Sequence, residues 1–159
     1  ERTIQMAIIE NLDKKYIFFF FYLGNKEEVF HFINGILLED GYVTEEYLPK
    51  VLERENTFPT GMELEKINVA IPHIDSKYIL KENLFVITSK KGIEFKNAEN
   101  NGEKLNVKII FGLLIREHNT HINFLVKLIE LFQENDKLEQ ILESSDKDEV
   151  IKILKDVLK

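Results

Sequence analysis

Three apolar, β-rich runs in the middle of the chain, residues 67–71, 84–88 and 107–115, scarcely alternate between apolar and polar positions. A strand with one wet face alternates, whereas a strand covered on both faces does not, so these runs call for material above and below one sheet. The flanks supply it. Val29, Phe30, Ile33, Ile36 and Leu37 recur at helical spacing until Gly41, and a second helix is expected from Thr44 toward Glu55, with Glu45 and Glu46 in its first turn. Near the other end, Ile122, Leu125, Leu128, Ile129 and Phe132 describe a helix whose apolar stripe faces the core, followed by shorter amphipathic pieces around 138–142 and 150–158. The aromatic run 16–22 (YIFFFFY) reads as a further strand, and a short strand is expected at 93–95 between turns at Gly92 and Gly102. The predicted fold class is α/β: a mixed β-sheet covered by helices on both faces, in a single domain spanning 1–159.

The bulk properties narrow the function classes. Of the 159 residues, 44% are hydrophobic and 31% charged, a globular balance, and no apolar run approaches the roughly 20 residues of a spanning helix. The absence of cysteine removes disulfides, thiolate chemistry and cysteine metal sites, and suits a reducing compartment, so the cytoplasm is the expected location. A net charge of -7 argues against nucleic acid as a partner. None of the seven glycines belongs to a phosphate-cradling GxxxxGK[ST] or GxGxxG pattern, and no GxSxG elbow occurs.

The stretch Val69-Ala70-Ile71-Pro72-His73-Ile74-Asp75 ends an apolar run on a proline and then displays an imidazole. Proline fixes its own φ and removes a ladder donor, so the strand should stop there and hold His73 on a stiff backbone at the sheet's rim, where layered α/β folds place ligands. A neutral ring nitrogen at that place could act as a nucleophile; an ordinary loop histidine is the other reading. Arg54, at the end of the second helix, is either a solvated cation or a planar clamp for phosphoryl oxygens. His118 and His121 form an H-x-x-H pair that makes a weak metal site. Thr120 is a good N-cap, which would put His121 in the first turn of the following helix, where an anion is favoured. His31, among Phe30, Phe32 and Ile33, is assigned no function.

In order along the chain, Leu52-Glu53-Arg54-Glu55 with Pro59-Thr60-Gly61, then Asn68 to Asp75 (NVAIPHID), then 107–115 (VKIIFGLLI) and 118–128 (HNTHINFLVKL) resemble the enzyme IIA domain of the bacterial phosphoenolpyruvate-dependent sugar phosphotransferase system. The resemblance covers Lys26 to Leu158 and is to the mannitol/fructose class, in its galactitol-type branch; Asn68 and Ile122 stand where that family often has glycine and leucine. It implies a phosphoryl relay. His73 accepts a phosphoryl group from the phosphohistidine of the carrier HPr and passes it to a cysteine of a cognate IIB domain, in the uptake of a sugar or polyol, galactitol among them. Arg54 and His121 are then the donors to the phosphoryl oxygens; Thr60 supplies a hydroxyl or shapes its turn, and Asp75 is a weaker candidate for orienting the loop. No cofactor and no metal are implied, and the membrane is met only through the IIC component. The same resemblance allows a regulatory IIA-like module of a transcriptional regulator or nitrogen-related pathway, and a plain interaction domain is the reading in which the histidines only pack. Phe58, Ile74 and Met62 are the expected apolar centre of a modest contact surface around His73.

Overall fold

The computed structural model describes residues 8–19, 24–116 and 122–158. They form a five-stranded mixed sheet of order β1-β4-β5-β3-β2, where β1 is Ile17–Phe18, β2 Gly61–Met62, β3 Asn68–Ala70, β4 Asn83–Lys96 and β5 Lys104–Leu114. The long hairpin β4–β5 is antiparallel and makes the sheet's spine; β3 runs parallel to β5 and β1 parallel to β4. Helices α1 (Lys26–Glu39) and α2 (Tyr47–Thr57) cover one face, and α3 (Ile122–Phe132), α4 (Asn135–Glu143) and α5 (Lys147–Leu158) cover the other.

Cross-strand register shows why the middle runs carry no polar alternation. Leu84 and Val86 pair with Leu113 and Phe111 and point toward α3–α5, while Phe85 and Ile87 pair with Gly112 and Ile110 and point toward α1 and α2. Both faces of the spine are therefore dry, and both need apolar side chains. The ring of Phe85 occupies the volume above Gly112: a Cβ there would lie 1.9 Å from it.

Four elements differ from the sequence expectations. First, 84–88 and 93–95 are one strand, not two; the register shifts between Thr88 and Ile93, and Gly92 takes a positive φ of 92° inside this irregularity, where the Asn106 side chain fills the space of a Cβ. Second, α2 starts at Tyr47 rather than near Thr44. Pro49 has no N–H, and starting at Tyr47 places it in the first turn, where no intrahelical donor is required. Third, among the described residues of the aromatic run, Ile17 and Phe18 are strand and Tyr16 lies in a 3-10 turn, its hydroxyl donating to Asp40 at 2.8 Å; residues 20–23 lie outside the described set.

The fourth concerns α3. It buries Phe124, Leu128, Leu131 and Phe132, whereas Ile122 and Ile129 are 66% and 44% exposed. This helix is apolar nearly all round, so spacing alone cannot select which stripe meets the sheet. No helix among the described residues is long and apolar enough to cross a membrane.

Candidate functional site

His73 leaves the sheet just beyond the C-terminal end of β3. Ile71 N–H donates to the Thr60 carbonyl at 3.3 Å, and the Pro72 carbonyl accepts from Leu113 N–H at 3.0 Å, so both residues before His73 are pinned even though the β3 ladder ends at Ala70. After it, Asp75 caps a 3-10 turn, Ser76–Tyr78, by accepting from Lys77 N–H at 3.0 Å. Because β3 and β5 are parallel, their C-terminal ends open on the same side. The stiff display expected of Pro72 is thus completed from both neighbouring segments.

Two contacts among the described residues orient the ring. His73 Nδ1 lies 2.6 Å from the Ile71 carbonyl oxygen, which can only accept, so Nδ1 carries a proton and the lone pair of the neutral ring is on Nε2. Nε2 faces Arg54 Nη2 at 3.5 Å. Nineteen residues apart, these two side chains meet because α2 ends beside the point where β3 ends. The guanidinium lies 5.6 Å from the Phe58 ring centroid, and its buried Nε–H has no partner among the described residues. A cation with an uncommitted donor next to a histidine nitrogen is suited to an oxyanion carried on that nitrogen.

The wall facing this pair is the turn 58–61. Phe58 N–H closes α2 on the Arg54 carbonyl at 2.7 Å, and Pro59 forces Phe58 out of the helix. Thr60, 4% exposed, donates its N–H to Glu55 Oε1 at 3.1 Å and its hydroxyl to Glu55 Oε2 at 2.6 Å. Its hydroxyl is therefore committed to the turn. Gly61 sits where a Cβ would meet the Lys96 carbonyl oxygen at 2.5 Å, which lets the turn lie directly on the β4–β5 hairpin.

Two clefts meet at Arg54. One, of about 280 Å³, includes His73, Thr60, Met62, Asn97 and Glu99 in its lining; the other, of about 300 Å³, includes Lys50, Ile74, Asp75 and Tyr78. A third, of about 200 Å³, runs from His73 along Ile71, Leu113, Ile115, Leu125 and Ile129. Among the three residues expected to form an apolar contact surface, Phe58 is 64% exposed and Met62 half-buried, but Ile74 keeps only 5% of its surface and belongs to the core. The third cleft's contribution from α3 was not foreseen, since Ile129 was read as inward-facing.

His31 is exposed on α1. His118, Thr120 and His121 lie outside the described residues; the described part of α3 starts at Ile122. Sequence reasoning gave no role to Glu55, which is fully buried, nor to Asn97 and Glu99. Asn97 reaches the site through its bridge to Gly61 and Glu99 through the bend that follows, where its N–H donates to the Asn97 side chain; no local motif marks either.

Comparison with known proteins adds independent observations. Residues 10–157 match the family described as "Phosphoenolpyruvate-dependent sugar phosphotransferase system, EIIA 2". The mannitol-specific phosphotransferase enzyme IIA component of Bacillus subtilis is 28% identical over 138 residues, covering 85% of this chain and 90% of that protein. The galactitol-specific EIIA component of Escherichia coli is 23% identical over 118 residues, covering 74% and 78%. Among solved structures, the mannitol enzyme IIA of Escherichia coli, in its complex with phosphorylated mannitol enzyme IIB, superposes with a TM-score of 0.73 at 24% identity, covering 92% of this chain and 98% of that one. That superposition speaks to the fold.

Proposed function

Because the chain belongs to the EIIA 2 family of the phosphoenolpyruvate-dependent sugar phosphotransferase system, and is thereby a phosphoryl carrier working through phosphohistidine, we propose that His73 Nε2 is the atom that carries the group. The observation that supports this is the ring's paired restraint: Nδ1–H on the Ile71 carbonyl at 2.6 Å and Arg54 Nη2 at 3.5 Å from Nε2.

In the first transfer the Nε2 lone pair attacks phosphorus of the donor's phosphohistidine, the new N–P bond forms as the donor's N–P bond breaks, and the donor imidazole, protonated on its other nitrogen, takes the electron pair and leaves neutral. The Ile71 carbonyl stabilises the positive charge that His73 then shares, while Arg54 neutralises the equatorial oxygens. In the second transfer a thiolate attacks the same phosphorus, and His73 departs with its electron pair restored. No step needs a cysteine in this chain, which has none.

HPr is the proposed donor and the cysteine of a IIB domain the proposed acceptor; an enzyme IIB is the partner named for the Escherichia coli relative. The exposed ring of Phe58 and the Ile129 lip of the third cleft supply apolar contact beside the nucleophile. Mannitol and galactitol, named for the relatives, make a hexitol the proposed cargo of the downstream transporter. A cytoplasmic site of action and a single domain over 1–159 complete the proposal, with His121 as a second donor to the phosphoryl oxygens and Asp75 orienting the loop that follows His73.

Incubation with phosphoenolpyruvate, enzyme I and HPr, followed by intact-mass measurement, is the test. The parent protein should gain one acid-labile phosphoryl group and His73→Ala none. Arg54→Gln should accept phosphate about a hundredfold more slowly, the scale of removing one preorganised oxyanion donor. A phosphorylated His73→Ala protein would remove His73 from the mechanism.

A further inference from the structure

Glu55 is 0% exposed and neither nucleophile nor ligand. An ionisable carboxyl in such a place is a poor means of stabilising a fold, because an apolar side chain of similar size avoids the desolvation penalty. What Glu55 holds is a series of hydrogen bonds that ends on the imidazole. Its two oxygens accept the N–H and hydroxyl of Thr60; the Thr60 carbonyl accepts Ile71 N–H; and the Ile71 carbonyl accepts His73 Nδ1–H.

We propose that Glu55 is a positioning residue for His73, acting through Thr60 and Ile71 to fix the ring's tautomer and direction. The inference rests on the carrier reading above but makes a separate claim about the resting ring.

The geometry explains why the link is tight. Thr60 sits between two proline- and glycine-constrained neighbours in a turn that lies on the β4–β5 hairpin, and Glu55 is the side chain that ties this turn back to α2. Without that tie, Thr60 can rotate, its carbonyl no longer meets Ile71 N–H squarely, and the Ile71 carbonyl loses its aim at Nδ1. A ring whose Nδ1–H has no fixed acceptor populates both tautomers and presents Nε2 along no single line. In-line transfer tolerates little of this, since displacements near 1 Å cost about a hundredfold.

Arg54 and Glu55 are adjacent in sequence, so the last turn of α2 controls both ring nitrogens at once: Nε2 directly, Nδ1 through two intervening residues. The charged and titratable groups that face Glu55 are Lys26 from α1, Arg54 beside it and Tyr47 two turns earlier on α2. None of them can replace Thr60 as the outward link, because none bonds to residue 71.

The experiment uses Glu55→Gln, Thr60→Val and Thr60→Ser in the full chain, with two readouts. The first is nitrogen NMR of the unphosphorylated His73 ring. The parent should show the Nδ1–H tautomer, Glu55→Gln and Thr60→Val a mixture, and Thr60→Ser the parent pattern. The second is the rate of phosphoryl acceptance from phosphorylated HPr, which should fall about 10–100-fold in the first two variants, the scale seen when a histidine's orienting partner is removed, and recover with serine.

If the ring keeps a pure Nδ1–H tautomer in both Glu55→Gln and Thr60→Val, the inference is wrong whatever the rates do. Should Glu55→Gln fail to fold, Thr60→Val and its serine counterpart carry the decision. If the parent accepts no phosphate while the tautomer still depends on Glu55, the carrier reading fails and the positioning role stands.

Discussion

Burial pushes the Glu55 carboxyl above the ordinary glutamic acid range, and the two hydrogen bonds from Thr60 with the charges of Lys26 and Arg54 oppose this without cancelling it. Between the ordinary value and the raised one the folded chain retains a proton that the unfolded chain has lost, so stability must fall as pH rises through that window. Asp40 works in the opposite sense: Lys15 and the Tyr16 hydroxyl hold its carboxyl below the ordinary range, and its contribution is lost as pH falls. Urea unfolding at a series of pH values is expected to show the downward slope above the ordinary glutamate value in the parent and a flat response there in Glu55→Gln; a parent without the slope would contradict the burial argument. At this scale the sequence was half legible. Pro72 marked His73 as a displayed residue, but nothing local marked Arg54 as its neighbour, because a nineteen-residue separation closes only when α2 and β3 pack. Glu55 was opaque for a different reason: a charged residue near a helix end reads as solvated unless its acceptor role is known.

At the scale of elements, periodicity located the helices well and their faces less well. Helix α1 behaves as its sequence indicates, with Asn25 accepting from Glu28 N–H at 2.9 Å as N-cap and Val29, Phe30, Ile33 and Leu37 buried. Helix α3 has apolar residues to spare, and the stripe that meets the sheet was settled by packing. The distinction is measurable. Leu128→Ala, at a fully buried position, should cost about 2–5 kcal/mol by the cavity it leaves, whereas Ile122→Ala, 66% exposed, should stay within about 0.5 kcal/mol. Denaturant midpoints decide it, and equal costs would place Ile122 in the core after all. Strand reading failed where a bulge intervened: the irregularity around Gly92 broke the apolar pattern of β4 and made one strand look like two.

For the whole molecule, the two apolar clusters lie on opposite faces of the same two strands, and each buried residue of the β4–β5 spine has a neighbour serving the other side. Neither layer of helices can detach without wetting strands that the other layer also uses. The chain is accordingly expected to unfold in one cooperative step, with far-UV and near-UV tyrosine signals coinciding, and Val51→Ala on one face and Leu128→Ala on the other shifting the same midpoint. Two separable transitions would argue against the single domain expected from the sequence. The covered sheet itself was readable from the three runs that do not alternate, since that pattern follows from water being excluded on both sides. Strand order was not, because it depends on pairings between distant segments.

One of those pairings binds two positions into a single unit of shape. Phe85 and Gly112 share one allotment of space across the spine, divided as a whole ring on one strand and a bare backbone on the other. A methyl gained at 112 has room only if the aromatic at 85 gives way to something smaller, so descent should alter the two sites jointly or leave both alone.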